Sequence, residues 1–321
     1  MLFNSYLNKM GGVFLPPLAK EMPLYMRWFS EAISAEGVPS IKKQYSFVRR
    51  IFSGLPKRIK YILLSCSSHF PKHKFLILPS GGNSCLDDAF PYCFTYHIVP
   101  YLWDCWPGCW ERIGQMARRL HIRSCFISSS MVAKAMNEQA LGTEFQYLPE
   151  GICMNLYTKG NQLINREIDV LELGRQHPVI HNKLIAIDGI KHLYNKNGQF
   201  VFLSFSSLAK GLSQAKIVIC YPRCDTHPEM AGNVETLTQR YWECMLSRCV
   251  MVGKCPFELV DLIGYNPVIT IQDETQCADL ILDILNHISM YQSLVDRNYE
   301  TALRFGSWSL RAKQFMEQVC Q

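Results

Sequence analysis

Short apolar runs alternate with segments of helical period throughout the second half of the chain. From residue 155 onward, each run has the length of a buried strand, and most of the intervening segments could form a helix. This alternation predicts a parallel sheet that helices cover on both faces. Ligands bind such sheets at the carboxyl ends of the strands, so residues that follow a strand are candidates for a binding site. The predicted strands span residues 168–173, 200–204, 216–221, 249–252 and 267–271, and the predicted helices lie near 180, at 206–213 and from 235.

The first half of the chain begins differently. Residues 1–72 predict mainly helices, interrupted at pairs of glycine and proline, and the first predicted strand is residues 74–79. A second strand is expected at 94–100 and a helix at 111–120. A chain of 321 residues, of which 48% are hydrophobic, is long enough to form two domains with separate cores.

Two glutamates, Glu235 and Glu243, lie eight residues apart between two predicted strands. On one helix, this spacing places the carboxylates about 12 Å apart along the axis and roughly 80° apart around it, so both can face one cleft. A helix that begins near Asn233, a good N-cap residue, would direct free backbone N–H groups at a diphosphate. The alternative is two glutamates on an ordinary helix, and the spacing alone favours that alternative.

The surrounding sequence resembles the retaining glycosyltransferases of the GT-B fold. That family has an E-x7-E motif, followed by a Glu-Ala-Met-Ala-like stretch and an apolar strand, and residues 243–252 (ECMLSRCVMV) are similar to that stretch and strand. Residues 169–175 (DVLELGR) resemble the first strand of the family's second domain with its Gly-Arg ending. Residues 147–152 and 124–130 resemble the crossing between domains and the strand-then-helix unit that closes the first domain. The resemblance covers roughly residues 74–320.

The resemblance implies an α/β fold with two Rossmann-like domains facing a cleft. Residues 1–152 would form an acceptor-side domain that is shortened or atypical, because this chain shows no opening strand with a glycine-rich turn. Residues 153–300 would bind the nucleotide sugar. Residues 301–321, with Trp308 and Arg311, would form a final helix that crosses back to the first domain.

The same resemblance implies roles for particular residues. Glu243 would bind ribose hydroxyls and Glu235 the transferred sugar. Arg175 and Lys183 would stabilise the leaving diphosphate, since a guanidinium pairs with phosphate through two hydrogen bonds and lysine supplies a point charge. Further donor contacts are expected from Gly174, Pro222, Asn233, Thr236 and Thr238.

Two residues of the first half are candidates for orienting the acceptor or the sugar. His97 lies within an apolar strand pattern, where a hydrogen-bonded core histidine is the more common outcome. Asp104 lies between Trp103 and Trp106 in a predicted loop, where it could form a turn or contact a ligand. We prefer Asp104, which we also include among the catalytic candidates.

The residues predict neither a metal nor a cofactor, because the nucleotide sugar is itself a substrate. The pairs Cys105/Cys109 and Cys220/Cys224 have no second pair at zinc-site spacing, and the chain has no Asp-x-Asp triplet to hold a metal on a diphosphate. Most of the 14 cysteines lie in apolar patterns that are typical of reduced, buried thiols. No apolar run is long enough to span a membrane, and the N-terminus lacks the core of a signal peptide.

The net charge of +6 is unevenly distributed. No acidic residue occurs between Glu36 and Asp87, and within residues 41–62 seven cations are interspersed with apolar side chains. Such a stretch can lie on an anionic membrane surface, or it can be the solvated face of a helix pair whose apolar side joins the core. The two interpretations are equally supported. Nucleic acid is not expected as a partner, because no recognised binding motif accompanies the charge.

We therefore expect a hexosyltransferase-type enzyme that moves a sugar from a UDP- or GDP-sugar to a glycan or a lipid-linked glycan in polysaccharide biosynthesis, with retention of configuration. Its expected location is the cytoplasm, either free or peripheral on the inner membrane face. Two alternatives remain: a GT-B-like sugar-nucleotide epimerase, and a non-catalytic, membrane-associated subunit of a glycan assembly complex.

Overall fold

The computed structural model describes residues 12–17, 22–42, 45–196 and 198–319. The chain forms two compact units. The first unit comprises the described residues up to Pro149 together with those from Trp308 onward, and the second unit is Glu150–Ser307. Residues 1–11 and 320–321 of the predicted domains lie outside the described residues.

The first unit is built on a parallel sheet. Strands β2 and β3 pair along their whole length, with Lys74 opposite Tyr96 and Gly81 opposite Trp103. Residues 76–80 of β2 are buried, as expected for a strand that is covered on both faces. In the described residues of this unit the sheet has the order β1-β2-β3-β4-β5, with β1 at Val13–Phe14, β2 at Lys74–Gly81, β3 at Tyr96–Trp103, β4 at Ser124–Ile127 and β5 at Glu144–Tyr147.

Strand β1 corrects one expectation from the sequence. Val13 and Phe14 pair in parallel with Phe75 and Leu76 of β2, so the first unit does open with a strand. The prediction that no strand precedes residue 74 was wrong because a two-residue strand is too short to show an alternating pattern. The other described elements of residues 12–72 are mainly helices, as predicted. The helices of the first unit up to residue 137 are α1 (Leu24–Ala35), α2 (Ser46–Ser53), α3 (Lys57–Cys66), α4 (Cys85–Ala89), α5 (Trp110–Leu120) and α6 (Ser130–Asn137).

The second unit is also an α/β unit built on one sheet, and every described strand pair in that sheet is parallel. Its described strands have the order β10-β9-β8-β6-β7. They are β6 (Ile168–Glu172), β7 (His192–Tyr194), β8 (Ala215–Cys220), β9 (Val250–Gly253) and β10 (Val268–Thr270). The helices are α7 (Pro178–Leu184), α8 (Phe205–Gln214), α9 (Arg223–Thr226), α10 (Pro228–Ala231), α11 (Gln239–Leu246), α12 (Phe257–Ile263), α13 (Cys277–Asn286) and α14 (Gln292–Phe305).

Strand β8 shows why the predicted layering is correct. Its side chains alternate between two apolar clusters: Val218 and Cys220 join the cluster that contains Trp242 of α11, while Ile217 and Ile219 join the one that contains Ile281 of α13. A strand buried on both faces must be covered by helices on both sides. The two parallel sheets with flanking helices confirm the predicted α/β class.

Two local predictions in the second unit were wrong. Residues 200–204 form no strand, and the strand beside β6 is instead β7, whose sequence His192–Tyr194 is too polar to stand out as an apolar run. The helix expected from Asn233 begins only at Gln239, with Thr238 at the N-cap position. Residues 233–238 are not helical, and the backbone N–H of Leu237, which a helix from Asn233 would direct at the carbonyl of Asn233, donates to Oε2 of Glu258 instead.

The last described helix, α15 (Trp308–Val319), belongs to the first unit. Trp308 and Phe315 pack against Phe29 of α1, with ring centroids 5.9 and 5.4 Å apart. Arg311 is fully buried beside them. The chain therefore returns to the unit in which it began, as the resemblance implied, and Trp308 is a packing residue.

Gly253, the last residue of β9, allows a close backbone crossing that another residue would obstruct. Its φ is +139°, and a Cβ there would collide with the carbonyl oxygen of Cys220 at the end of β8. We expect Gly253→Ala to destabilise the second unit by about 3 kcal/mol or more, since backbone strain and overpacking add. Gly264→Ala is the control, because its φ of +81° is also positive but no atom lies within 4 Å of the added Cβ. Urea denaturation, followed by hydrogen exchange of β8 and β9 peptides, measures both; equal losses would contradict the steric explanation.

Candidate functional site

The strand order of the second unit identifies where a ligand is expected to bind. From β6 the chain goes first to β7 on one side and then to β8 on the other, so the direction of winding reverses between β6 and β8. Ligands of open α/β sheets bind outside the carboxyl ends of the strands at such a switch point. The loops that follow β6 and β8 carry Gly174, Arg175 and Pro222, so these three predicted residues lie at the expected edge.

Lys254 is the central charged residue at this edge. It directly follows β9, and its backbone N–H donates to the carbonyl of Cys220 at the end of β8 (2.9 Å). Its Nζ lies 2.9 and 3.1 Å from the two carboxylate oxygens of Asp225 and 3.3 Å from Oε2 of Glu235. Partial burial alone would lower the pKa of Lys254, but the hydrogen bond and charge of Asp225, together with Glu235, raise it. One ammonium group therefore holds two carboxylates together.

Glu235 is also fixed from its other side. Its Oε1 accepts a hydrogen bond from the backbone N–H of Phe257, the first residue of α12 (2.6 Å). In return, the N–H of Leu237 donates to Oε2 of Glu258 (2.7 Å), a carboxylate that is only 2% exposed. These reciprocal bonds join the non-helical segment 233–238 to the start of α12. They hold the carboxylate of Glu235 in one orientation at the strand edge.

Glu243 lies in a different environment. It is 6% exposed on α11, its Oε1 accepts a hydrogen bond from the hydroxyl of Tyr157 (2.8 Å), and its Oε2 lies 2.6 Å from Nη1 of Arg240. Burial, together with the carboxylate of Glu243, raises the pKa of Tyr157. The prediction that both glutamates share one helix was wrong, because Glu235 precedes α11. A ribose contact of Glu243 stays a prediction; its Oε1 is hydrogen-bonded to Tyr157, and its Oε2 has the charge of Arg240 beside it but no well-formed hydrogen bond.

The remaining predicted donor residues have various surroundings. Arg175 is exposed directly after Gly174, whose φ of +74° turns the chain out of β6. Lys183 lies in the last turn of α7, about 8 Å along the helix from Pro178 and so away from the helix end nearest the strand edge. Asn233 is exposed, Thr236 is buried, and Thr238 occupies the N-cap position of α11 without a side-chain cap bond.

The two candidates of the first unit lie at opposite ends of β3. Asp104 directly follows the strand, is exposed, and has a φ of +50°. Gly82, after the neighbouring strand β2, packs so closely on this loop that a Cβ would come within 3.1 Å of the carbonyl oxygen of Asp104. His97 is the second residue of β3, at the amino end, where it stacks on Phe75 and lies 3.2 Å from the carbonyl of Lys72. Position at the carboxyl end thus favours Asp104 over His97.

Sequence reasoning missed Lys254 and Asp225. The sequence did offer an indication, because Lys254 lies just after the predicted strand 249–252 and residues that follow a strand are candidates for a binding site. Arg175 and Lys183 were preferred because the family resemblance supplied cations for the diphosphate. The pairing of Lys254 with Asp225 across 29 residues depends on the adjacency of β8 and β9, which the sequence does not show.

Comparison of the fold with solved structures finds glycosyltransferases that match almost the whole chain. HepE of Anabaena, in complex with UDP and glucose, is 10% identical, with a TM-score of 0.61 over 96% of this chain and 98% of HepE. Sucrose-phosphate synthase of Thermosynechococcus elongatus is 12% identical, with a TM-score of 0.61 over the same shares. A glycosyltransferase of Rickettsia africae is 11% identical, with a TM-score of 0.53 over 95% of this chain and 97% of its own. At these identities the likeness shows the fold, which is the predicted GT-B class.

No protein-family profile matches the chain, and no curated protein matches it in sequence.

The raised pKa of Lys254 predicts a dependence of stability on alkaline pH. Its folded pKa lies above the ordinary value of 10.5, so its charge stabilises the fold fully below that value, and the contribution is lost as the pH rises through the folded pKa. We expect Asp225→Asn, which removes the main partner, to make stability less sensitive to pH above about 10.5, where the wild-type contribution is lost. Denaturation midpoints of wild type and variant across this range measure the difference. Asp279→Asn, at an exposed position of α13, serves as the control, and parallel pH profiles for wild type and Asp225→Asn would contradict the assignment.

Proposed function

We propose that this chain transfers a sugar from a nucleotide sugar of the UDP-glucose kind to a glycan or lipid-linked acceptor. The observation that carries the proposal is the carboxylate of Glu235, held by Lys254 and the N-terminus of α12 at the carboxyl edge of the second sheet. HepE, whose structure is a complex with UDP and glucose, shares its fold with this chain over nearly the whole length of both, which supports the same class of donor.

The chemistry assigns different tasks to the charged groups at this edge. An ionised carboxylate is an acceptor with about four lone-pair sites, and Glu235 is held at this edge by the N–H of Phe257 and the ammonium group of Lys254, so we assign it to the sugar hydroxyls. Asp225 and Glu235 together outweigh the single charge of Lys254, so this cluster suits the sugar better than the diphosphate. Arg175, exposed on the adjacent β6 loop, is the cation that we assign to the diphosphate.

Catalysis in this proposal consists of stabilising the departing nucleotide. As the bond between the anomeric carbon and the diphosphate oxygen breaks, its electron pair moves onto that oxygen, and the phosphate becomes more negative. The acceptor hydroxyl oxygen forms the new bond to the anomeric carbon, and its proton passes to the departing phosphate. A guanidinium that is in place before the bond breaks lowers the energy of that charge in the transition state. Retention of configuration stays a prediction from the resemblance, and the configuration of the product measures it.

The donor assignment predicts separable effects of two substitutions. We expect Arg175→Ala to reduce turnover of UDP-glucose by one or more orders of magnitude, on the scale of about 10²–10³ for the loss of an oxyanion contact. Glu235→Gln should weaken binding of UDP-glucose more than binding of UDP, because the sugar is the only part of the donor that this residue is assigned to contact. Release of UDP measures turnover, and calorimetry with UDP and UDP-glucose measures binding.

Arg297→Ala is the control, since that exposed side chain stacks on Tyr265 of the same unit with its guanidinium 3.7 Å from the ring centre. Wild-type protein that binds neither UDP nor UDP-glucose would instead support the non-catalytic subunit. An Arg175→Ala variant with undiminished turnover would remove the diphosphate role from this residue.

We also propose that α2 and α3 form a membrane-contact surface, which suits a lipid-linked acceptor. Phe47, Ile51 and Ile62 are 72%, 54% and 62% exposed on these helices, and the cations Arg50 and Arg58 are exposed among them. The amphipathic pattern matches a segment that lies in the plane of the membrane. In the described part of the chain no helix is both long and apolar enough to cross a bilayer. Residues 43–44 of the basic stretch lie outside the described residues.

Part of the basic charge of this stretch serves the first unit itself. Arg49 pairs with Asp88 (2.9 Å), Lys60 with Asp87 (2.8 Å) and Lys57 with Glu111 (3.3 Å). Phe52 of α2 and Leu64 of α3 are buried. The helices thus combine both interpretations of the sequence, because one face joins the unit and the other remains exposed with apolar and basic residues.

Flotation with phosphatidylserine vesicles tests this surface. Each cation near an anionic bilayer contributes about 1 kcal/mol, so removing Arg50 and Arg58 should weaken binding by roughly 30-fold. Phe47→Ser with Ile51→Ser should also reduce it, whereas Ile164→Ser with Leu203→Ser, at exposed apolar positions of the second unit, should not. Equal flotation of all variants would contradict the proposed surface.

A further inference from the structure

A carboxylate and two imidazoles meet inside the second unit, close to the β6 loop. Glu172 is the last residue of β6, His181 lies on α7, and His192 is the first residue of β7. Oε2 of Glu172 lies 2.6 Å from Nδ1 of His181 and 2.9 Å from Nε2 of His192. All three ligand atoms lie within 4.8 Å of one another. The fold therefore brings together a set of two nitrogens and one oxygen from three separate elements.

The burial of this cluster argues for a cation. Glu172 is 2% exposed and the side chain of His192 is 7% exposed. Both imidazole rings contact the same oxygen of Glu172, Oε2. The other oxygen, Oε1, is buried without a hydrogen-bond partner. Leaving a buried acceptor unsatisfied costs about 1–3 kcal/mol, and more when the group is charged. A bound metal ion would compensate the carboxylate charge that these two hydrogen bonds leave incompletely balanced.

The chemistry of the three ligands selects the class of metal. Two imidazoles and one carboxylate suit zinc and its first-row neighbours, whereas magnesium and calcium prefer oxygen ligands alone. Zinc binds nitrogen and oxygen at about 2.0–2.2 Å, so tetrahedral ligand atoms are about 3.4 Å apart. The distances between the three ligand atoms, 2.6 and 2.9 Å for the two measured to Glu172 and at most 4.8 Å for the third, lie around that value. Small movements of the side chains would therefore bring the atoms to zinc-binding geometry. Tyr194 restricts both rings, since its ring centre lies 4.8 Å from each of theirs.

We propose that Glu172, His181 and His192 bind one divalent transition metal of the zinc class, with water in the fourth position. The metal joins β6, α7 and β7 and so fixes the loop 173–177 between two of its ligands. The metal would hold these three elements together, and the site does not depend on the proposed transfer reaction. Sequence reasoning considered only paired cysteines and a metal on the diphosphate, and ligands spaced by 9 and 20 residues from Glu172 match no short motif.

Metal titration of the full chain tests the proposal. After treatment with a chelator and dialysis, calorimetry with zinc chloride should show one metal per chain, and cobalt chloride should give the strong visible absorption of four-coordinate Co²⁺. We expect His181→Ala and His192→Ala each to weaken zinc binding by at least about 100-fold, because loss of a ligand exceeds the 10–100-fold cost of losing an outer-shell partner. Zinc should also slow hydrogen exchange in peptides that span residues 172–194.

His177→Ala and His287→Ala are the matched controls, since His177 pairs with Glu274 and His287 is exposed beside Asp283. Both should bind zinc like the wild type. His181 is partly exposed, so its variant should fold, and circular dichroism checks this. Wild-type protein that binds no zinc, or zinc binding that His181→Ala and His192→Ala leave unchanged, would overturn the proposal. Cobalt spectra of a six-coordinate ion only would do the same, because they indicate adventitious binding by surface histidines.

Discussion

Burial of β8 on both faces is the constraint on which the second unit depends. Its side chains alternate between two apolar clusters, so helices must cover both sides, and polar groups can gather only at the strand ends. At the carboxyl end, the carbonyl of Cys220 accepts from Lys254 and also lies against Gly253. The close crossing of β8 and β9 therefore sets the position of the lysine. Through that lysine it also sets the positions of Asp225 and Glu235.

The two glutamates that dominate the sequence belong to different parts of this unit. Glu235 lies at the edge, where an ammonium group and a backbone N–H hold it. Glu243 lies in the interior, where Tyr157 donates a hydrogen bond to it and Arg240 balances its charge. If the two glutamates lay eight residues apart on one helix, both carboxylates could face the same cleft. The non-helical residues before Gln239 separate them instead, and this separation makes Glu235 the better candidate for a ligand contact.

Periodicity predicted the elements that bury long apolar faces. Strands β2, β3, β4, β6, β8, β9 and β10 all overlap runs that the sequence marked, and the α/β class followed from their alternation with helices. Strand β1 has two residues and β7 begins with a histidine, so tertiary pairing rather than local pattern makes them strands. The start of α11 was placed too early because Asn233 is a good cap by type, whereas the N–H of Leu237 is bound by the distant carboxylate of Glu258 and is not available to a helix that begins there.

The candidate site was predictable in position and less so in composition. Arg175, Pro222 and Glu235 follow strands and lie at the expected edge, as does Asp104 in the first unit. Lys254 and Asp225 were missed because their pairing depends on which strands are neighbours. The cluster of Glu172, His181 and His192 was missed for the same reason, since its members meet only after β6, α7 and β7 have packed.

The return of α15 to the first unit has a consequence for synthesis on the ribosome. Phe29 and Tyr101 of the first unit pack against Phe315, whose codon follows those of the entire second unit. At about 5–20 residues per second, roughly ten to thirty seconds separate Pro149 from Trp308. During that interval the nascent first unit lacks one wall of its aromatic core. The first unit, which is synthesised first, is thus the last to be completed. Until then, the aromatic surface that Phe315 will cover is the apolar surface that a chaperone would protect.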